Sequence, residues 1–293
     1  MASPLNGSQA AITEFSDTGV TYIDALLGGI KWGGALGSSA ALTFSFPYSQ
    51  SGTAMWASNP SYSDLNEPSS SFGLDAQAQA AARAALSAWS NVANVTFTEV
   101  ADSATDVGDI RFAWTTLGNG GSAAWAGLPN NSFASGGDVW LHHPTLSPTT
   151  NSFWQAGGVG ALTLLHEVGH ALGFKHPFED QPRLPAAQDT RQYTVMSYQP
   201  APKDTFHWIT VTGPGTIAVD IVNILPDTPM LYDIAAMQTL YGANMGYRTG
   251  DDLYTFDPNT PFFRTLWDGG GNDTISVANF SRGTIINLLA GHT

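Results

Sequence analysis

Apolar residues recur at regular spacings along the chain, and each spacing predicts a different kind of element. In residues 74–92 and 158–173 they stand three or four positions apart, which places them on one face of a helix. Asp75 stands where its side chain can cap the first of these helices. Residues 230–241 predict a third helix, which ends at Gly242. Three main helices are therefore expected.

Runs rich in β-branched and aromatic residues predict the strands. Four of these runs are short, namely residues 41–46, 94–100, 109–115 and 137–142. A longer run rich in valine, isoleucine and threonine, residues 206–225, is interrupted by Gly213, Pro214 and Gly215 and predicts a β-hairpin. Because strands and helices are interspersed along the chain, we predict an α+β fold with a mixed, twisted sheet.

The amino-acid composition narrows the classes of function. The chain has 293 residues and a formal net charge of −14, which disfavours nucleic acid and anionic lipid as partners. No apolar run approaches the roughly 20 residues that span a bilayer, so membrane insertion is not expected. Residues 1–10 lack the charged and apolar regions of a secretory leader, so no N-terminal signal peptide is expected.

The chain has no cysteine, which excludes disulfides and thiolate metal sites and leaves His, Asp and Glu as metal ligands. After residue 241 the composition shifts to glycine and aspartate with interleaved aromatic residues. We place a domain boundary there, between a larger domain of residues 1–245 and a smaller unit of residues 246–293. The acidic, Gly-rich composition of the smaller unit suits calcium, whose oxygen ligands often lie on tight turns.

The second helix carries a pair of histidines with the spacing of zinc ligands. His166 and His170 are one turn apart, so their imidazoles lie on the same face. A catalytic zinc site takes three protein ligands and keeps one position open for water. Gly173 can end the helix in a left-handed conformation and Pro177 prevents its continuation, which returns His176 toward the metal. We expect these three histidines to bind zinc.

Glu167 lies beside the two helical ligands, but helical geometry keeps it from binding the same ion. It can instead hold the metal-bound water and act as general base. Zinc lowers the pKa of that water toward about 7, and Glu167 takes its proton and returns it to the leaving amine. His142, His143 and His207 are alternative ligands, but we favour the interpretation that they are polar residues in loops or at strand ends.

The run from His166 to Pro177 resembles the extended zinc signature of the metzincin proteases. Residues 189–198 resemble the Met-turn stretch of one metzincin family, the serralysins. The resemblance implies that Met196 forms the apolar floor of the site, and that Tyr198 is a further zinc ligand or a phenol that stabilises the oxyanion. It covers most of the chain and implies a zinc endopeptidase that acts on protein or peptide substrates.

Further expectations follow from the same resemblance. Ala124, Trp125 and Ala126 fall in the segment that forms a substrate-facing edge strand in serralysins. The resemblance also implies a metzincin-type protease domain, secretion from the cell, a monomer, and inhibition by a protein inhibitor. The loop after Pro177 is shorter, and residues 199–227 are longer and more strand-like, than in most serralysins. Both segments flank the cleft, so the substrate preference stays open.

A Gly-rich turn near the C-terminus predicts calcium binding. Residues 268–276 nearly match the calcium-binding nonapeptide of parallel β-rolls, and residues 248–252 resemble the serralysin segment that completes such a site. The calcium ligands that the resemblance implies are Arg248, Gly250, Asp252, Asp268, Gly270, Gly271 and Asp273. We expect the start of a β-roll here. Since no further repeats follow in the sequence, we expect a C-terminally truncated protein.

Two other functions share parts of this pattern. One is a calcium-stabilised interaction module whose protease site has decayed, and intact Glu167, His176 and Tyr198 argue against it. The other is a zinc amidase that acts on small molecules or cell-wall peptides through the same metal chemistry. An open cleft bordered by an edge strand favours polypeptide over the small substrates of an amidase.

Overall fold

The computed structural model describes residues 10–49, 54, 56, 62–63, 65–146, 148, 150, 152–281 and 286, and they form an α+β fold. The helices are α1 (Thr21–Asp24), α2 (Ala76–Val92), α3 (Val159–Ala171) and α4 (Leu231–Tyr241), with a 3₁₀ turn at Glu67–Ser70. The strands are β1 (Ile12–Glu14), β2 (Ile30–Trp32), β3 (Ala40–Ser45), β4 (Ser71–Phe72), β5 (Val95–Glu99), β6 (Ile110–Thr115), β7 (Ala124–Ala126), β8 (Val139–His142), β9 (Thr205–Gly213), β10 (Thr216–Asn223), β11 (Leu253–Thr255) and β12 (Thr274–Ser276).

Six strands form the mixed sheet that the sequence predicts. Five of them lie in the order β5-β3-β6-β8-β7, and β4 pairs with β6 beside this path. Strands β3, β5, β6 and β8 run parallel, whereas β7 is antiparallel to β8, with Trp125 opposite Trp140. The α+β prediction is confirmed, and β7 ends the sheet as an edge strand.

The three main helices form where the apolar spacing predicts them. Helix α2 begins after Asp75, whose carboxylate accepts hydrogen bonds from the backbone N–H groups of Gln77 and Ala78 at 2.8 and 2.9 Å. The apolar face of α2 is buried against α3, where the Trp89 indole donates to the Leu165 carbonyl at 3.1 Å. Helix α3 also contacts β7 and β8, so it lies beside the edge strand of the sheet.

The shorter elements have no periodic signal in the sequence. Strands β1 and β2 form an antiparallel pair, and β7 has only three residues.

The hairpin predicted for residues 206–225 is present as the antiparallel pair β9 and β10. Strands β11 and β12 form a separate parallel pair. No helix in the described ranges is long and apolar enough to cross a lipid bilayer.

Candidate active site

Helix α3 presents two histidines on the side that faces the cleft. His166 is buried and His170 is half-buried, and the two rings stand one helical turn apart with centroids separated by 4.8 Å. The opposite side of α3 carries apolar residues such as Leu164 and Val168, which are fully buried in the core. Burial of that apolar side fixes the rotation of α3, and so fixes where the two imidazoles point.

Gly173 reverses the chain just after α3. Its φ of +114° is a conformation that residues with a Cβ rarely adopt, and a Cβ there would lie 2.4 Å from the Ile30 carbonyl oxygen. Beyond the reversal, the Lys175 N–H donates to the Leu26 carbonyl at 2.8 Å. This pairing directs the chain back across the end of α3 and brings His176 beside the two helical histidines.

The three histidines point the same nitrogen at a common centre. The Nε2 atoms of His166, His170 and His176 are 3.1 Å apart in each of the three pairs. Each Nδ1 donates a hydrogen bond away from the centre: His166 to the Val195 carbonyl at 2.8 Å, His170 to the Phe174 carbonyl at 2.8 Å. His176 donates from Nδ1 to the Glu179 carboxylate at 2.6 Å. Because every Nδ1 carries the proton, every Nε2 presents a lone pair to the centre.

Three converging lone pairs fit a zinc ion. None of the Nε2 atoms can donate to another, so the arrangement is repulsive until a cation or a donor fills the centre. Zinc takes imidazole nitrogens at about 2.0 to 2.1 Å, and a triangle of nitrogens 3.1 Å apart allows one ion to contact all three. The structure thus brings together the three histidines that the sequence singles out as zinc ligands.

Glu167 is buried between the two helical histidines and faces the cleft. Its Oε2 atom has no hydrogen-bond partner among the described residues, and burial raises the pKa of its carboxyl group to about 8. A dication held by the neighbouring imidazoles would lower that pKa again, because opposite charge favours the ionised form. Because Glu167 also lines the cleft, its carboxylate is placed to hold a water molecule beside an ion bound by the histidines.

The predicted Met-turn lies directly beneath the histidines. Met196 is fully buried, and its sulfur is 2.8 Å from the position that a Cβ on Gly169 would occupy. The turn is held by Asp233, a fully buried carboxylate at the start of α4. Asp233 accepts hydrogen bonds from Thr194 Oγ1 at 2.5 Å, from the Val195 N–H at 2.8 Å and from the Met230 N–H at 2.7 Å. The Met-turn is therefore anchored to α4 and supports His166 from below.

Tyr198 follows the Met-turn and reaches the same centre from the solvent side. Its side chain is 56% exposed, and its hydroxyl lies 2.8 Å from His176 Nε2. Burial of part of the ring raises the pKa of the phenol, so it keeps its proton at neutral pH. Tyr198 is therefore positioned either to contact the metal or to donate a hydrogen bond to a substrate oxygen beside it.

Glu179 is a part of the site that the sequence analysis missed. Its carboxylate accepts from His176 Nδ1 at 2.6 Å and from the His176 backbone N–H at 3.3 Å. The other two histidines donate to neutral backbone carbonyls instead. A carboxylate partner orients an imidazole and makes it a more basic ligand. The signal was an acidic residue three positions after the third histidine.

Glu179→Gln is expected to weaken zinc binding by roughly tenfold to a hundredfold, because the amide cannot supply the negative charge that supports His176. The measurement is competition for zinc between the protein and a chelating indicator. Asp180→Asn is the matched control, since it removes the same charge from an exposed neighbour that has no hydrogen bond to His176. Equal affinities in wild type and Glu179→Gln would show that the contact does not support the ligand.

The histidines lie at the floor of a cleft that has two parts. One part has a volume of about 560 Å³ and is lined by Leu146, Val159, Leu162, Arg191 and Leu225, among others. The other has a volume of about 260 Å³ and is lined by the edge-strand residues Ala124, Trp125 and Ala126 together with the three histidines. Glu167 and Tyr198 line both parts. The cleft therefore continues on both sides of the metal-binding centre.

The edge strand along the cleft is held by a second buried carboxylate that sequence reasoning missed. The Trp125 indole donates to Glu67 Oε1 at 2.8 Å, and Glu67 is buried. Glu67 precedes Trp125 by 58 residues, and no local pattern in the sequence connects them. The alternative ligands His142, His143 and His207 are not part of the three-histidine group.

A second group of acidic residues lies near the C-terminal end of the described chain. Carboxylate oxygens of Asp252, Asp268 and Asp273 lie within 4.8 Å of one another. Asp268 accepts from the Gly270 N–H at 2.9 Å and Asp273 accepts from the Asp252 N–H at 2.9 Å, which holds the two turns together. Converging carboxylates on tight turns suit calcium.

The glycines and Arg248 shape the turns around this acidic group. Gly270 and Gly271 have φ values of +150° and +127°. A Cβ on Gly271 would lie 1.9 Å from the Gly250 carbonyl oxygen, so only glycine fits there. Arg248 has a φ of +50°, and its Nη1 atom is 3.9 Å from Asp252 Oδ1. The structure thus places all seven predicted calcium residues on the two adjoining turns.

Comparison with known proteins agrees with the geometry. A family model described as matrixin matches residues 56–193. A serralysin of Proteus mirabilis is 34% identical over 294 aligned residues, which cover 89% of this chain and 55% of that protein. Serralysin C of Dickeya chrysanthemi is 35% identical, with 89% and 54% covered. The metallopeptidase AprA of Pseudomonas marginalis is 35% identical, with 73% and 47% covered.

The chain spans about half the length of the curated relatives it matches. The part matched by the matrixin model includes His166, Glu167, His170 and His176, so the similarity extends over the candidate active site. The resemblance first indicated by the zinc signature and the Met-turn is confirmed. The chain belongs to the serralysin-like metzincins, and it contains a matrixin family-model match over residues 56–193.

Proposed function

We propose that this chain is a zinc-dependent endopeptidase that hydrolyses peptide bonds within protein substrates. One observation carries the proposal: three Nε2 atoms converge 3.1 Å apart beside the buried, cleft-facing carboxylate of Glu167. His166, His170 and His176 would hold the ion. When bound, zinc acts as a Lewis acid that polarises the scissile carbonyl and lowers the pKa of water.

The proton transfers fall to Glu167. The cleft-lining carboxylate of Glu167 accepts a hydrogen bond from the attacking water and takes the proton as the water adds to the carbonyl carbon. The same carboxyl group then returns the proton to the leaving amine, so Glu167 ends each cycle ionised. Tyr198 donates a hydrogen bond from its phenol to the substrate oxygen that gains negative charge, and keeps its proton.

The edge strand supports a polypeptide substrate. Strand β7 pairs only with β8 among the described strands, so the backbone groups on its outer edge can pair with an extended peptide. The cleft continues on both sides of the histidines, so a chain can enter and leave without presenting a terminus. These two features favour an endopeptidase over an amidase for small molecules, and Glu167 favours an enzyme over a decayed binding module.

The proposal is tested by incubating the zinc-loaded protein with casein, with and without a chelator, and sequencing the fragments. Internal cleavage that stops with the chelator and resumes with added zinc is the expected result. Release of terminal residues alone would favour an exopeptidase. Intact casein combined with hydrolysis of small amides would favour an amidase, and intact casein with intact amides would favour a binding module.

Tyr198→Phe is expected to lower kcat by about tenfold or more with little change in KM, because the phenol acts on the transition state more than on the bound substrate. Steady-state kinetics with a fluorogenic peptide measure both constants. Tyr193→Phe is the control, since it removes a phenol whose ring stacks on Tyr232 instead. A rise in KM without a fall in kcat would make Tyr198 a substrate contact.

We also propose that the predicted unit of residues 246–293 is separate, begins a β-roll and binds calcium through the acidic group near the C-terminus; its residues 282–285 and 287–293 lie outside the described residues. The observations that support this are the separate parallel pair of β11 and β12 and the convergence of Asp252, Asp268 and Asp273. Secretion, a monomeric state and inhibition by a protein inhibitor are proposed from the family alone.

Calcium is expected to raise the melting temperature, because an ion bound only by the folded form adds about 2.7 kcal/mol at a hundredfold excess over its dissociation constant. Asp273→Ala should reduce that calcium dependence, and Asp257→Ala should not, because Asp257 caps a nearby turn outside the acidic group. Thermal melts in calcium buffers with zinc kept saturating provide the measurement. A wild-type melting temperature that is indifferent to calcium would remove the assignment.

A further inference from the structure

The hairpin formed by β9 and β10 carries exposed aliphatic side chains along the part of one face that lies toward its turn. Cross-strand pairing places Val211 opposite Ile217 and Ile209 opposite Val219, with Ile221 next along β10. Paired residues share a face, so these five side chains form one continuous patch, which we call the hairpin patch. Their exposed fractions are 62% for Ile209, 75% for Val211, 59% for Ile217, 46% for Val219 and 64% for Ile221.

The opposite face of the hairpin has a different character. It carries Phe206 and Trp208, which are half-buried and in ring contact at 4.7 Å, together with Ala218 and the charged Asp220. The five side chains of the hairpin patch are uncharged, and the exposed imidazole of His207, which pairs with Ile221, lies beside them on the same face. An exposed and continuous aliphatic surface of this kind marks an interaction site more often than a solvated surface.

The base of the hairpin that carries the patch lies at the rim of the cleft. The base of the hairpin is closed by the Ile224 N–H, which donates to the Asp204 carbonyl at 2.5 Å. Leu225, the next residue, lines the larger part of the cleft, and the adjoining Pro226 is buried and bridged to Phe263. Ten residues at about 3.3 Å each would carry the hairpin on the order of 30 Å from this anchor.

The larger part of the cleft is itself lined by aliphatic residues. Leu146, Leu162 and Leu225 lie there, together with Val159, which is exposed. Apolar surface therefore continues from the cleft onto the anchored base of the hairpin. A polypeptide that extended from the cleft over Leu225 would reach the base of the hairpin.

We propose that the hairpin patch is an exosite that binds an uncharged, apolar segment of the protein substrate, in extended conformation, outside the stretch being cut. The outer edges of β9 and β10 pair with no third strand among the described residues, so they can also pair with the backbone of that segment. A second copy of the chain is a poorer occupant, because each copy has a net charge of −14. This inference rests on the proposed endopeptidase function.

The test compares one substrate in two lengths. The long probe is reduced, carbamidomethylated α-lactalbumin, which stays unfolded. The short probe is a fluorogenic peptide of about eight residues around one of its cleavage sites, on the order of 27 Å when extended, which fills the cleft alone. The variant combines Ile209→Thr, Val211→Thr and Ile217→Thr, which keeps β-branched side chains in the strands and removes apolar surface.

The threonine variant is expected to lower the ratio of kcat/KM for the long probe to kcat/KM for the peptide by about tenfold. Val222→Thr with Ala218→Ser is the matched control on the opposite face, and it should leave that ratio within about twofold of wild type. Circular dichroism and zinc content verify that both variants are folded. A ratio that does not change in the threonine variant would overturn the proposal.

A binding measurement keeps the two proposals separable. Zinc-loaded Glu167→Gln protein, with and without the three threonine substitutions, is titrated with fluorescently labelled α-lactalbumin. Weaker binding by about tenfold with the threonines supports the exosite even if neither probe is hydrolysed, an outcome that would sink only the proposed function. Equal binding overturns the exosite. Light scattering that shows a wild-type dimer and a threonine-variant monomer, with equal binding, would assign the hairpin patch to a second copy.

Discussion

Glu167→Gln is expected to lower kcat by roughly a hundredfold to ten-thousandfold while the protein keeps its zinc. Glutamine has the same shape as glutamate but cannot accept the proton of the attacking water. The zinc content should not change, because the three Nε2 atoms converge without help from Glu167, whose Oε2 atom has no partner among the described residues. Peptide hydrolysis and metal analysis on the same sample separate the two effects.

Glu99→Gln is the control for this experiment. Glu99 forms an exposed ion pair with Arg83 at 2.6 Å, and neither residue lines the cleft, so its loss should leave kcat within about twofold. Retained turnover in Glu167→Gln would exclude the general-base role. Lost zinc in that variant would instead place Glu167 among the groups that hold the ion.

Gly173→Ala is expected to destabilise the protein by about 3 kcal/mol and to weaken zinc binding by at least about tenfold. The new Cβ would lie 2.4 Å from the Ile30 carbonyl oxygen, in a backbone conformation with a φ of +114°. Relief of that overlap has to move the chain that carries His176. A loss of about 3 kcal/mol corresponds to a fall in melting temperature of roughly 6 to 12 °C for a protein of this size.

Gly215→Ala separates the two causes of this effect. Gly215 also has a positive φ, of +72°, but no atom lies within 4 Å of the position that its Cβ would take. It should therefore show only the smaller cost of the left-handed conformation, on the order of 1 kcal/mol, with unchanged zinc affinity. If Gly173→Ala lost no more stability and no more zinc than Gly215→Ala, the chain reversal would not be what positions His176.

The parts of the site that could be predicted from the sequence are those set by local geometry. His166 and His170 are four residues apart, and a helix must bring such residues to one face. Gly173 and Pro177 end that helix within one turn, so the return of His176 could also be anticipated. Helices α2 and α3 and the hairpin could be predicted for the same reason, because their patterns depend on residues close together in the sequence.

The parts that could not be predicted depend on contacts between distant segments. Asp233 lies 38 residues after Val195 and accepts a hydrogen bond from the Val195 N–H. Only the packing of α4 brings the two residues together. Strand β7 has three residues, too few for a periodic pattern, so only the resemblance to serralysins indicated it, and its place at the sheet edge is set by pairing with β8. The exposure of the hairpin patch is also unexpected, because a row of valine and isoleucine usually indicates a buried face.

One hydrogen-bonded residue joins the metal centre to the rest of the fold. Val195 accepts a hydrogen bond from the His166 ring at its carbonyl and donates one to the buried Asp233 through its N–H. Zinc binding and the stability of the junction between the Met-turn and α4 are therefore coupled, and the coupling free energy is the same in both directions. Whatever free energy an Asp233 substitution removes from metal binding, the ion loses as a stabiliser of that junction. A substitution at Asp233, which has no hydrogen bond to a histidine among the described residues, is therefore expected to lower zinc affinity as well as stability.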